Sequence, residues 1–326
     1  MAYDIDVHAR HVRTAVKSNG AARSQVVASW RRCIVGYGLD PSAKLPRRML
    51  SAIELREATQ RLEPLLFAAG ATLERLQAAL ARMSCCALIA GVDGVAVHRS
   101  GRDADVEHLG RFGLWPGVDW SERSEGTNGI GTCLTEKRDV SIHGADHFLA
   151  RNTDLSCSVA PIFDHQGELA GALDVTYYGK AVSEEVMGLL AFTAREAASQ
   201  IERANFLASF DDARIIYIHD RTRACVGLMA VDDDDIVLGA TRAARSLLGI
   251  TDAGLRSGIP AMDIQQLATY SEDTMARAER GTIRRALART SGNVSASAKA
   301  LEISRATMKR KLKKLNLRRR EELGSD

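Results

Sequence analysis

Apolar positions recur at steps of three and four from residue 8 to residue 83, and this period predicts helix. It runs through "AARSQVVASWRRCIVGYGLDP", which a Gly-Leu-Asp-Pro stop closes, and again from Ser51 to Met83. The period then shortens. "CCALIAGVDGVAVHRSG" holds two apolar runs around Asp93-Gly94, a dipeptide that accepts the positive φ angles of a tight turn, so a hairpin is expected. A second strand pair is expected at Ser156 to Phe163 and Leu169 to Tyr178, turning at Asp164 to Gly167. On its second strand Leu169, Leu173, Val175 and Tyr177 share one face while Asp174 and Thr176 take the other, the pattern of a sheet with one face in the core. Between the pairs runs a long connection, Trp115 to Asp154, whose apolar spacing is too regular for a linker. Long connections on a rigid sheet carry function or cap a cavity.

Ser183 to Phe210 is expected as one long helix. Its small and apolar positions, Val186, Leu190, Thr193, Ala197, Ile201, Ala204 and Ala208, alternate steps of three and four, as a seam against a partner helix requires. A core-facing helix of the same domain shows the same spacing. "GLMAVDDDDIVLGATRAARSLLGI", Gly227 to Ile250, predicts strand, acidic turn, strand and a short helix closed by Gly249. The four aspartates lack the alternating ligands and closing Glu of a calcium loop, so a solvated turn is expected. Residues 251 to 273 are weakly periodic and read as a connector.

Towards the end, Thr274 to Thr290 predicts a helix with Ile283 and Leu287 inward, stopped at Ser291-Gly292. Asn293 suits the cap of a second helix with Val294, Ala298 and Leu301 on its apolar stripe. After Glu302-Ile303, Ser304 can cap a third, in which Met308, Leu312 and Leu315 fall at i, i+4 and i+7. Three short helices with a tight turn between the last two form a helix-turn-helix.

Charge sharpens this picture. The chain of 326 residues carries a net +3, but residues 274 to 326 hold 15 Lys/Arg against 5 Asp/Glu, a local +10, and leave −7 for the rest. A basic tail on an acidic body points to a polyanionic partner for the tail. On the third helix, Arg305 and Thr307 are placed to reach base edges, and Lys309, Arg310 and Lys313 to neutralise phosphates. Asn293, Ser295, Ser304 and Lys311 complete the expected surface towards a double-stranded DNA operator. One such module buries only roughly 600 to 1,000 Å² on DNA. A homodimer is therefore expected, reading half-sites about 34 Å apart or a multiple of that.

No run of eighteen apolar residues and no apolar leader is present, so a cytoplasmic location without membrane contact is expected. The six cysteines show neither a CxxC pair nor finger spacing, and free thiols are expected.

Gly292 to Leu315, "GNVSASAKALEISRATMKRKLKKL", resembles the Fis-type helix-turn-helix that ends many bacterial sigma-54-dependent activators. Glu302 stands where that family usually has Gly, and a non-Gly residue in a left-handed turn carries an energetic cost. "SWRRCIVGYGLDP", "SERSEGTNGIGTCLTEKRDVSIHGADHFL" and "CSVAPIFDHQGELAGALDVT" resemble the sensor half of the acetoin catabolism regulator (AcoR-like) group. That resemblance implies a GAF domain, an α/β sensor fold. Gly227 to Ile250 resembles the opening of a PAS domain, here too short for its own ligand pocket. The expected whole is an α+β multidomain chain: an N-terminal helical region (1–59), a GAF sensor (60–180), a connecting and dimerisation helix (181–210), a truncated PAS-like segment with connector (211–270), and an all-α Fis-type helix-turn-helix (271–326).

Full-length activators of this kind place an ATPase between sensor and reader. A phosphate-cradling loop needs GxxxxGK[ST], but the one Gly-Lys pair, Gly179-Lys180, is followed by Ala and lacks the loop; the GAFTGA segment is missing too. No motor is expected, and no triad signature points to an enzyme. A small-molecule effector is expected beneath the long connection, lined by Trp115, Trp120, Thr127, Asn128, His143 and Asp174. Its identity, and any cofactor, stay open. Two alternatives are kept. His143, His147, Asn152 and Cys157, with Cys85 and Cys86, carry donors for a metal or redox sensor. A GAF-dimer interaction protein with the tail as a nonspecific anchor is the other.

Overall fold

The early helical period resolves into α1 (Ile5–Lys17), α2 (Gln25–Arg31), α3 (Ala52–Arg61) and α4 (Glu63–Leu80). α2 runs on into a π-helical turn, Arg32–Gly36. Ser51 and Glu54 form a reciprocal capping box at the start of α3, which satisfies backbone N–H groups that a helix leaves unpaired. The computed structural model describes residues 5 to 315 apart from 19–23, 45, 81, 103–104, 180–181, 221–224, 265–273 and 291. The chain divides into two compact units, Met1–Gly258 and Ile259–Asp326.

The first unit is built on a five-stranded antiparallel sheet, β1 (Cys85–Gly91), β2 (Ala96–Ser100), β3 (Val140–His143), β4 (Leu155–Phe163) and β5 (Leu169–Tyr178), in the order β2-β1-β5-β4-β3. The two expected turns close at Gly94 (φ 84°) and Gly167 (φ 80°). The long connection holds the short helices α5 (Val106–Phe112), α6 (Glu122–Glu125) and α7 (Gly129–Glu136).

Both faces of this sheet are buried, which corrects the expectation of a single core face. On one face Ala87, Ile89, Leu173 and Val175 pack against α4 and against α8 (Glu184–Ser209). On the other, Leu88, Cys157 and Val159 pack with Leu109, Trp120 and Ile130 of the connection. Asp174 and Thr176 therefore lie inside a second core, at 2% and 0% exposure. Leu169 also sits with this second core and not with Leu173, because the β4–β5 register slips between Ile162 and Phe163 and breaks the alternation.

The seam on α8 meets a similar correction. Leu190, Ala197 and Ile201 are buried against α4 and the sheet, so the chain itself fills the groove expected for a partner helix. A three-four spacing states that one face is apolar and leaves open what covers it. The outer face of α8 still exposes Leu189 and Phe192.

The N-terminal helices are docked on this unit. Val12, Trp30 and Cys33 share a core with Phe148 and Leu149 of the connection, and a β-bridge joins Met49 to Val118. The same unit continues with a three-stranded sheet, β6 (Arg214–Asp220), β7 (Cys225–Val231) and β8 (Val237–Ala240), followed by α9 (Arg242–Leu248) and α10 (Asp252–Ser257). β6 was not anticipated: it is an edge strand with a largely uncovered side, marked by exposed Tyr217, and shows no clean alternation. The acidic run is a turn, where the Asp232 carboxylate accepts from the N–H groups of Asp234 (2.9 Å) and Ile236 (2.8 Å). Of the expected connector, residues 265–273 lie outside the described residues.

The second unit contains a short 3-10 turn, Ala261–Asp263, and three helices, α11 (Thr274–Arg289), α12 (Val294–Ala300) and α13 (Arg305–Lys314), packed around Ile283, Val294, Ala298, Met308 and Leu315. Ser291 and the basic residues Arg318 to Arg320 lie outside the described residues. No described helix is long and apolar enough to cross a membrane.

Candidate functional site

The basic helix α13 is positioned from both ends. The Ser304 hydroxyl accepts from Thr307 N–H (3.0 Å) to start it, and Asn293 accepts from the N–H groups of Ser295 and Ala296 (3.1 Å each) to start α12. Between them the chain turns through a two-bond helix stop, Glu302 N–H to Lys299 O (3.1 Å) and Ile303 N–H to Ala298 O (3.0 Å), with Glu302 at φ 53°. The left-handed turn is thus kept without its usual glycine. Met308 and Leu315 face the core, which turns Arg305, Lys309 and Lys313 outward at i, i+4 and i+8; all three are exposed, as are Arg310, Asn293, Ser295 and Ser304. Thr307 is half-buried, and its hydroxyl lies 2.9 Å from that of Ser304. Lys311 differs from the expectation: it lies on the opposite flank and pairs with Glu279 of α11. A periodic reading of α13 alone cannot show an acid contributed by another helix.

In the sensor unit, two buried carboxylates that the sequence reading did not single out organise the connection. Glu122 accepts from Ser29 Oγ (2.6 Å) and from Arg32 Nε and Nη2 (2.6 and 2.7 Å). Glu125 accepts from Arg47 Nη1 (2.8 Å), Arg151 Nη2 (2.7 Å) and Asn152 Nδ2 (3.1 Å). Both carboxylates are buried, so each needs these cationic partners to remain inside the protein. Their alternation with Ser and Gly in "SERSEGTNGIGT" was the available signal. Gly131 is needed here because a Cβ would approach Glu122 N to 2.5 Å.

The six expected effector residues fall into separate places. Trp120, Thr127 and Asn128 form one cluster around α6 and α7. Trp120 Nε1 donates to Gly113 O (3.1 Å), Asn128 Nδ2 donates to Trp120 O (2.8 Å), and the Thr127 hydroxyl lies 2.7 Å from Ser29 Oγ. Trp115 is apart, under the Arg99 guanidinium at 4.9 Å, and His143 Nδ1 shares a 2.8 Å hydrogen bond with Ser156 Oγ. Asp174 stands on β5 in the second core. Its Oδ2 accepts from the Thr176 hydroxyl (2.6 Å), while its buried Oδ1 has no partner among the described residues. Burial raises this carboxyl to about 7, against the Thr176 hydrogen bond, which favours the ionised form.

A polar chain extends from it. The Thr176 hydroxyl also reaches Cys157 Sγ (3.2 Å), which lies 3.6 Å from His147 Nε2. Burial lowers His147 to about 4 and raises the Cys157 thiol, so the neutral forms of both prevail. The other donors considered for a metal are dispersed: Asn152 is held by Glu125 and Arg47, and Cys85 and Cys86 face opposite sides of the sheet. Among the described residues no three His, Cys, Asp or Glu side chains are grouped to hold a metal ion.

An antiparallel sheet capped by a long connection, followed by a helix-turn-helix with an outward basic arc, is the build of a modular regulatory protein. The GAF domain profile matches residues 69–201, and that of the bacterial regulatory protein Fis family matches residues 274–315. The chain carries a GAF domain and a Fis-family helix-turn-helix and is homologous to the acetoin catabolism regulators. It is 31% identical over 239 residues to the acetoin catabolism regulatory protein of Cupriavidus necator, covering 72% of this chain and 36% of that protein. With the acetoin dehydrogenase operon transcriptional activator AcoR of Bacillus subtilis it shares 27% identity over 198 residues, 61% of this chain and 33% of the relative. The propane 2-monooxygenase operon transcriptional activator MimR of Mycolicibacterium smegmatis is 28% identical over 194 residues, 58% of this chain and 32% of that protein. The alignments thus span about a third of each of these curated relatives. The solved E. coli DhaR(N)-DhaL complex shares the fold, with TM-score 0.51 at 16% identity over 70% of this chain and 76% of that chain. The GAF match runs into α8, in agreement with the packing of that helix on the sheet. Residues 202–273 separate the two matches.

Proposed function

We propose that this chain is a sequence-specific DNA-binding transcriptional regulator of the cytoplasm, whose GAF domain senses a small organic molecule and which has no ATPase motor of its own. The observation that carries this reading is the arc of Arg305, Lys309 and Lys313, turned outward by the packing of Met308 and Leu315. Relatives named for acetoin and propane operons support a small organic effector. Of the residues expected to line its site, Asp174 keeps a buried oxygen without a partner among the described residues, and we assign it the hydrogen bond to the effector. Binding of the effector to one of two states would shift operator affinity by its differential affinity for them. A homodimer, with the exposed Leu189 and Phe192 of α8 at its interface, would supply two readers for a two-fold operator.

Selection of genomic fragments by the full chain tests the core of this reading, because a sequence-specific reader enriches a common operator and a nonspecific anchor does not. On that operator Arg305→Ala should weaken binding by roughly 1 to 3 kcal/mol and relax one base position. Enrichment of no shared sequence would sink the proposal.

A further inference from the structure

A cavity of about 350 Å³ opens at the turn end of the sensor sheet. It lies on the side packed by α4 and α8, whereas Asp174 belongs to the other face. Ala58, Leu62 and Leu65 from the α3–α4 corner, Val97 of β2 and Ala170 of β5 supply its apolar wall. Asn205 of α8 supplies the polar group. Its side chain lines the cavity, the residue is only 6% exposed, and its amide makes no hydrogen bond to a described residue. An amide set in the wall of an apolar cup offers an occupant both a donor and an acceptor.

The mouth sets the charge. Arg61 is engaged by Asp93 at 3.2 Å, and the Asp164 carboxylate is turned into its own loop, accepting from Gln166 N–H (2.8 Å) and Glu168 N–H (2.9 Å). Two carboxylates against one cation disfavour an anionic visitor. The site is also connected. His165, at the mouth, packs on Phe210 with ring centroids 5.8 Å apart, and Phe210 meets Phe206 with tilted rings and lies against Gly239 of β8. An occupant at His165 therefore bears on the sheet that follows α8.

We propose that this cavity is a second small-molecule site of the sensor, taking an uncharged molecule with a short branched hydrocarbon body and a head group that both donates and accepts hydrogen bonds. An aliphatic amide is the simplest member of that class. The inference concerns a different face from the Asp174 site, and its test reads binding without DNA, so its failure leaves the DNA-binding reading untouched.

Saturation-transfer NMR with isobutyramide and the full chain provides the test. Isobutyramide should show transfer at its methyl protons, and isobutyrate, with the same body and a negative head, should bind at least about tenfold more weakly. Asn205→Leu should weaken isobutyramide about three- to tenfold for each hydrogen bond lost. Ala170→Leu, which fills the cavity from the strand side and leaves Asn205 in place, should abolish transfer. Absence of transfer at millimolar isobutyramide, or equal binding by wild type and both variants, would overturn the proposal.

Discussion

Asp174 has the property that most directly separates pocket chemistry from packing. Its carboxyl is raised to about 7 from an ordinary 3.8, so between those pH values the folded state holds a proton that the unfolded chain has released. Stability from this group therefore falls as pH rises from about 4 to 7. His147 works in the opposite sense: lowered to about 4 from 6.5, it makes stability rise with pH over that interval. Asp174→Asn removes only the first effect. The variant's stability relative to wild type should climb with pH by up to about 1.4 kcal/mol per unit between pH 4 and 7 and level off above, as read by urea unfolding at stepped pH. A difference that is flat across this range would place Asp174 among ordinary ionised carboxylates. Glu302 is the second informative residue. With φ 53° it holds a conformation that costs an L-residue about 1 to 2 kcal/mol, so Glu302→Gly should stabilise the helix-turn-helix by about 1 kcal/mol in calorimetry.

At the scale of elements, the contrast between Arg305, Lys309 and Lys313 on one side of α13 and Lys311 on the other makes a graded prediction. Lys309→Ala should lower the slope of log affinity against log salt by about 0.9 if it neutralises one phosphate. Lys311→Ala, already tied to Glu279, should lower it much less. Equal slopes for the two variants would place the DNA surface elsewhere on the helix. The α6 turn offers a stability test. Arg47 bonds the buried Glu125 and Asn152 and lies 4.9 Å over the Trp120 ring. Arg47→Ala should cost about 3 to 5 kcal/mol in urea unfolding, since it leaves a buried carboxylate short of charge.

For the whole molecule, division into Met1–Gly258 and Ile259–Asp326 predicts two unfolding transitions in calorimetry of the full chain, with Glu302→Gly moving only one. A single cooperative transition shifted as a whole would show that the units unfold together. The packing also changes how the N-terminal stretch is understood. Arg32 and Arg47 reach into the connection at Glu122 and Glu125, so helices that seemed to precede the sensor are part of its architecture.

The elements were legible because their causes are local. A period of two or three to four marks strand or helix, Asp93-Gly94 marks a hairpin, Ser51, Asn293 and Ser304 mark helix starts, and the Met308-Leu312-Leu315 spacing fixes which side of α13 is basic. The candidate site was legible only in part. Thr127, Asn128 and Asp174 are legible as polar residues in strongly patterned segments, but their division between structural hydrogen bonds and an oxygen with no partner among the described residues depends on neighbours distant in the chain. Only tertiary structure decided that both sheet faces are covered, that α8 spends its seam on α4, that Lys311 is paired, and that Asn205 faces a cavity. The physical reason is common to all four: periodicity states which face of an element avoids water, while the fold alone determines what meets that face.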